Sequence, residues 1–344
     1  MGLTVSQIND LVLLTHESLV RKGAWLDAQT DLTKHVLCRE LWKKRQKKFA
    51  GGHPWEWQMQ IDHNYSARAV KLYQKNVSAI NDTMITASVE PRFVNAHYTY
   101  DVREKAFNRG PEQIADFLKT KIVAARVSLF EYLETVLLGK PESSDDKETP
   151  YGIKYWVVQD EDEGFNGENP DGFTGGRAGV SSSTYSRLKN YTGTWSAVTD
   201  EDLLAKLSRM MRKTDFMSVV DHSEPKLGAP GRLILVDDYV YGACEQLLRA
   251  GNMNIGTDLA KYNGRVMYGT SPLTYTPKLD AESNHPVYTL NTEFLQIGVQ
   301  EGWEEKTSGP NLLSGYTHVY RVDTDATLQM ICTDWRRQGV LYKA

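Results

Sequence analysis

Cysteine is scarce in this chain: Cys38, Cys244 and Cys332 are the only three among 344 residues. Their odd number and wide spacing exclude a disulfide framework, and no Cys-x-x-Cys pair offers a structural metal site. What remains is a set of small buried thiols in a reducing compartment. Long apolar runs are missing too. None approaches the ~20 residues that a membrane-spanning helix needs, and the N-terminus lacks the three regions of a secretory signal. Met1-Gly2-Leu3-Thr4-Val5-Ser6 fits a myristoylation pattern that is too permissive to predict an anchor. No membrane partner is therefore expected. Without a secretory signal, the Asn-x-Ser/Thr triplets at Asn64, Asn76, Asn81 and Asn190 read as surface turns. An excess of basic charge is also absent. The net charge is −4, whereas a dedicated nucleic-acid binder would be basic.

Catalytic signatures are equally sparse. There is no HExxH or HxH among the eight histidines and no G-x-S-x-G. Asp62-His63 and Asp221-His222 are adjacent pairs, which do not by themselves face each other. Gly172-x-x-Gly175-Gly176-Arg177-Ala178-Gly179 resembles a phosphate cradle but lacks the Lys-Ser/Thr that completes one. Asp160, Glu161, Asp162 and Glu163 miss the spacing of a calcium loop, because Gly164 comes one position early and no Glu takes the twelfth place. Asp237-Asp238, after a short apolar strand, stands where open α/β sheets place ligands. The same pair also fits a plain helix cap and dipole partner, and that reading weighs more. No catalytic residue, cofactor or metal is predicted.

What the chain does contain is ordered. Composition is ordinary for a globular protein, 40% hydrophobic and 24% charged, with length for two domains or one elaborate domain. Residues 4–49 read as polar helices, with apolar spacing at Ile8, Leu11, Val12, Leu19, Val20, Val36, Leu37, Leu41 and Trp42. A basic run from Arg39 to Lys48 closes them, and reads first as a solvated helix face. Trp55, Trp57, Met59 and Ile61 then alternate with Glu56, Gln58, Gln60 and Asp62, a period of two. Ala67–Gln74, with Val70, Leu72 and Tyr73, reads as the returning strand of a hairpin. Two indoles on one face need cover. This chain's own core or a neighbouring subunit would supply it, and the hairpin's length favours the neighbour.

Strands over 83–89 and 92–100 follow, separated by Pro91. The longest periodic stretch is Pro111–Leu138. Apolar residues recur at Ile114, Phe117, Leu118, Ile122, Ala125, Leu129, Leu133 and Val136, close to 3.6. Pro111 sits at the first turn and Gly139 and Pro141 close the end. Such a helix is ~42 Å long at ~1.5 Å per residue. Beyond a polar linker at 140–149 come a short strand at 153–158 and a long acidic, glycine-punctuated loop at 159–180. A helix opens at Thr199 with Leu203, Leu204, Leu207, Met210 and Met211 inward. A buried strand at 233–236 precedes a helix at 239–250 stopped by Gly251. The chain ends in a strand pair at 315–324 and 326–334.

This order of elements (arm, hairpin, long spine helix, mixed domain, closing strands) resembles the major capsid proteins of tailed bacteriophages, the Hong Kong 97-type fold. Gly-Glu-Asn-Pro-Asp-Gly-Phe at 167–173, Lys189–Thr194, Gly231–Asp238 and Val266–Pro272 resemble stretches of such proteins. The resemblance implies an α+β fold with an N-terminal arm at 1–50, an extended loop (E-loop) at 51–82, a peripheral P-domain at 83–145 with 313–344, and an axial A-domain at 146–312. It implies a structural protein of the virion, not an enzyme. Copies would assemble as hexamers and pentamers into an icosahedral head in the host bacterial cytoplasm, enclosing DNA without sequence specificity. A separate scaffolding protein and a portal would be partners, because only about fifty residues precede the hairpin. Subunit contacts would fall on Trp55, Trp57, Met59, Ile61, Val70, Leu72 and Tyr73. Lys71 and Lys75 lie in the hairpin, but with no identifiable partner they predict no crosslink. The competing readings are an encapsulin-like nanocompartment shell, which a cargo-handling pattern would favour, and a metal-dependent hydrolase using Asp237, Asp238 and the acids at 160–163.

Overall fold

A computed structural model describes residues 35–42, 46–62, 67–72, 82–104, 111–216, 232–252, 267–268 and 271–344, with backbone only over 111–120, 248–252 and Met267. The helices expected over 4–34, the return of the hairpin through Tyr73 and Gln74, and the side chains of Ile114, Phe117 and Leu118 lie outside this set. So do Asp221-His222 and most of 253–270.

A helical turn at 36–42 leads to strands β1 (Gln46–Phe49), β2 (Trp55–Gln60), β3 (Met84–Val89) and β4 (Arg92–Asp101). The long helix α1 (Pro111–Leu138) follows, then a single turn, α2 (Ile153–Trp156), and short strands β5 (Gly164–Gly167), β6 (Asn190–Thr192) and β7 (Thr194–Trp195). Next come α3 (Ala205–Thr214), β8 (Arg232–Val236), α4 (Asp238–Asn252), β9 (Met267–Tyr268) and β10 (Ser271–Tyr275). The chain closes with β11 (Val287–Asn291), β12 (Leu295–Gln300), β13 (Lys306–Leu312), β14 (Val319–Cys332) and β15 (Gly339–Lys343).

Two large sheets organise these strands. In one, the fourteen-residue β14 is the spine. Along one edge it pairs antiparallel with β13 and then β12, and along the other with β4 from Arg92 to Asp101. β1 adds to β12 in parallel. The second sheet runs β5-β6-β15-β11-β8-β10-β9, with β7 also on β15. β8 shows why its sequence is a continuous apolar run. Leu233 and Leu235 face one buried cluster and Ile234 and Val236 the other, so both faces are covered. The second face is covered by Leu207 and Met210 of α3 and Val240 and Cys244 of α4.

On α1 the inward residues are Ile122, Arg126, Leu129, Leu133, Glu134 and Leu137, at helical spacing. Glu134 is fully buried. Its carboxylate accepts the Leu37 and Cys38 N–H groups at 3.0 and 2.8 Å, which fastens the turn at 36–42 to the helix.

Five sequence expectations need correction. Residues 46–49, within the basic run, form a strand rather than a helix face. β2 pairs with β3, Trp55 opposite Val89 through Gln60 opposite Met84, and not with 67–74. Apolar alternation gave each strand but no partner, since period two does not encode pairing. Residues 153–156 form a helical turn, because a short, wholly buried apolar run is ambiguous between strand and helix. The helix over 238–252 runs through Gly251. The expected closing pair is one strand, β14, which runs without a break through Asp325, the residue between the two expected strands. Pro91 marks the point where the chain leaves the β2–β3 pair for the β4–β14 sheet.

Candidate assembly surfaces

The β2–β3 hairpin carries most of the expected contact residues. Its alternation holds: Trp55 and Met59 are buried, Trp57 is half-buried, and Glu56, Gln58 and Gln60 are exposed. The cover, however, comes from the same chain. Trp55 is 1% exposed and stacks on Phe49 with ring centroids 4.5 Å apart. Its indole also lies over Gly298 of β12, where an added Cβ would come within 2.8 Å of it. Trp57 meets Trp156 at 6.4 Å, and Ile61 packs against the same cluster. Trp55 is therefore a core residue of the subunit, the own-chain cover that the sequence left open, and Trp57 is half-covered by the same chain. The reason is β1: its pairing with β12 brings Phe49 beneath the hairpin, and nothing in the period-two pattern announces that.

Exposed apolar surface lies elsewhere. β2 and β3 are joined by residues 61–83, and there 67–72 are all exposed. Val70 is 58% and Leu72 85% exposed. Further exposed apolar side chains are Phe93 on β4, Tyr132 on α1, and Leu312 and Tyr316 at the β13–β14 turn. β4 is an edge strand, and between it and α1 runs a groove of about 530 Å³ lined by Ala96, Tyr98, Ala124, Ala125, Ser128 and Tyr132, among others. Lys121 reaches across to the Thr99 carbonyl at 3.0 Å.

The loop at 159–189 is built around Arg177, which is 2% exposed. One terminal nitrogen donates to the Gly167 and Glu168 carbonyls and to Asn190 Oδ1, the latter two at 2.7 Å. Burial pushes this guanidinium down to about 10. Gly176 has φ +83°, and a Cβ there would lie 2.5 Å from Ser181 Cα, so the loop must have glycine at this point. Arg177 and Val180 exchange backbone hydrogen bonds across the turn at 3.0 and 2.9 Å. The glycine cluster thus closes on its own backbone. Of the acids, Glu163 is bound by Arg209 and by the Tyr191 hydroxyl, both at 2.9 Å. Burial raises its pKa, but these partners outweigh burial and hold it below the ordinary value. Among the described residues no group of three His, Cys, Asp or Glu side chains is placed to hold a metal.

Asp237 is buried and caps α4, accepting the Val240 N–H at 3.0 Å. Its second oxygen contacts His285 Nδ1. Tyr239 stacks on that imidazole at 4.6 Å. His285 has no sequence signal linking it to Asp237. Asp238 donates its backbone N–H to Asp280. The three cysteines are free and buried, and burial pushes the Cys244 thiol up to about 11.

No family model matches the chain, and no curated protein matches its sequence. Solved structures do match. A chain of the cyanophage A-1(L) capsid asymmetric unit aligns with TM-score 0.59 at 14% identity, covering 89% of this chain and 91% of that one. A chain of Mycobacterium phage Bobi aligns at 0.52 with 7% identity, over 90% of each chain. The capsid of the native GTA particle aligns at 0.50 with 9% identity, again over 90% of each. This chain has the Hong Kong 97-type capsid fold. Each match covers about nine tenths of this chain.

Proposed function

We propose that this chain is the major capsid protein of a tailed bacteriophage, assembling from copies of itself into the closed icosahedral head that encloses the genome. The observation that carries the proposal is the extent of the fold match, about nine tenths of both chains against a capsid asymmetric unit. The role is structural. Two of the residues of the hydrolase alternative have structural partners instead: Asp237 caps a helix, and Glu163 is bound by an arginine and a tyrosine.

In this reading the P-domain (83–145 with 313–344) holds β4, α1 and β14, and the A-domain (146–312) holds β8 with α3 and α4. The E-loop rises from the β2–β3 base, and the contact with a neighbour rests on Val70 and Leu72 at 67–72 rather than on the indoles. Hexamers and pentamers, a separate scaffolding protein, a portal and non-specifically held DNA belong to the same proposal. No helix among the described residues is long and apolar enough to cross a membrane. Size-exclusion chromatography of the full chain, purified with and without the proteins encoded alongside it, tests the reading. Megadalton material supports it. A monomer under both conditions, or a metal-dependent hydrolytic activity, contradicts it.

A further inference from the structure

Five side chains from four separate parts of the fold form one alternating stack. Arg336 Cζ lies over the Phe165 ring at 5.3 Å and over the Phe216 ring at 4.9 Å. Arg337 Cζ lies over the other side of the series, 4.7 Å from Phe216 and 4.3 Å from Phe294. The order is Phe165, Arg336, Phe216, Arg337, Phe294. Arg337 is neutralised by Asp334, whose Oδ2 accepts from its Nε at 3.0 Å. Nearby Arg232 has a side chain only 6% exposed. It donates to the Met211 carbonyl at 3.1 Å and stands 3.5 Å from Asp215, a carboxylate that is largely in solvent. Arg232 and Arg337 are close enough to repel: burial lowers the Arg232 pKa, and Arg337 lowers it further. Three guanidiniums thus share two carboxylates.

Arg336 is the one left over. Its guanidinium makes no hydrogen bond or ion pair with any described residue, and its Nε is buried without a partner. Phe165 and Phe216 lie against the guanidinium carbon, and the side chain is half-buried, so its terminal nitrogens are left for a ligand. The fork of two terminal nitrogens matches two oxygens of one tetrahedral anion. We propose that the terminal nitrogens of Arg336, the one guanidinium of the three without a carboxylate among the described residues, bind a phosphate group. Phosphate of this chemistry comes either from the phosphodiester backbone of double-stranded DNA or from free inorganic phosphate. The proposal does not require that the chain forms a shell.

The test uses the full chain and Arg336→Gln, compared by fluorescence anisotropy with a labelled DNA duplex between about 50 and about 200 mM salt. Thermal unfolding is followed in parallel, in sodium phosphate against sodium chloride at equal ionic strength. If the backbone is the ligand, the variant binds DNA about ten-fold more weakly, and the slope of log affinity on log salt falls by about one. If free phosphate is the ligand, DNA binding is unchanged, and phosphate raises the unfolding midpoint of the native chain but not of the variant. Should Arg336→Gln fail to fold, Arg336→Lys keeps the charge without the fork, and weaker binding of either probe is the expected result. Equal DNA affinity, equal salt slope and equal phosphate response in native and variant chains overturn the proposal.

Discussion

Replacing Trp55 with alanine separates a core indole from an interface indole. The side chain is 1% exposed, stacked on Phe49 and seated over Gly298, in a sheet whose β12 and β14 backbones are fixed by pairing on both sides. Large-to-small changes at such aromatic sites cost roughly 3–5 kcal/mol. Loss of the Phe49 stack contributes about 0.5–1.5 kcal/mol beyond the area term, and a glycine floor has no side chain to move into the hole. In the other direction, the indole N–H is buried without a partner, so removing it recovers part of a desolvation cost of about 1–3 kcal/mol. The net expectation is about 3–4 kcal/mol, a large share of a domain stability of about 5–15 kcal/mol. The assay is equilibrium urea unfolding of the unassembled full chain, followed by tryptophan fluorescence and circular dichroism together. A large drop in midpoint is expected whether or not assembly is possible. A Trp55→Ala chain with the native midpoint but no particles would refute the reasoning, because it would place the indole at a subunit contact.

The exposed positions should behave in the opposite way. A Val70→Ser, Leu72→Ser double variant should unfold within about 0.5 kcal/mol of the native chain while yielding few or no particles by sedimentation; normal particle yield contradicts the contact assigned to 67–72. Glu134 sets a pH dependence. Burial raises its pKa above 4.5, against the opposing N–H bonds of Cys38 and Leu37. A raised carboxyl contributes stability that is complete below its ordinary value and is lost as pH rises through the raised one. Urea midpoints of the native chain should therefore fall more steeply with rising pH in that window than those of Glu134→Gln, and parallel profiles would show that Glu134 does not titrate there. Thr199 accepts the Asp202 N–H at 3.2 Å at the start of the 200–214 helical run. Thr199→Ala should cost about 1 kcal/mol in the same unfolding experiment, and an unchanged midpoint would remove the cap from the account.

Much of the fold was legible because its strongest signals are local. The period of α1, the Thr199 cap, the buried run in β8 and the two-residue alternation of Trp55–Gln60 all describe a residue and its near neighbours in the chain. What was not legible depends on distant partners. Phe49 and Gly298 meet Trp55 only because β1 adds to β12. His285 meets Asp237 across 48 residues, and Glu134 holds backbone N–H groups nearly one hundred residues earlier. The break expected after residue 324 is absent because β14 pairs with β4 along its length, Asp325 opposite Asn95, and that partner lies more than two hundred residues away. What covers the indoles was not legible for a related reason: exposure is a property of the folded chain, and alternation alone does not tell that Trp55 is buried while Leu72 is exposed.

Electron microscopy of the purified full chain, with the neighbouring gene products supplied if the chain stays small alone, tests the central claim most directly. Closed shells with five-fold vertices, in which each 67–72 segment lies against another copy, are the predicted result. A lone compact subunit at high concentration under every condition, with Val70 and Leu72 still in solvent, would contradict it.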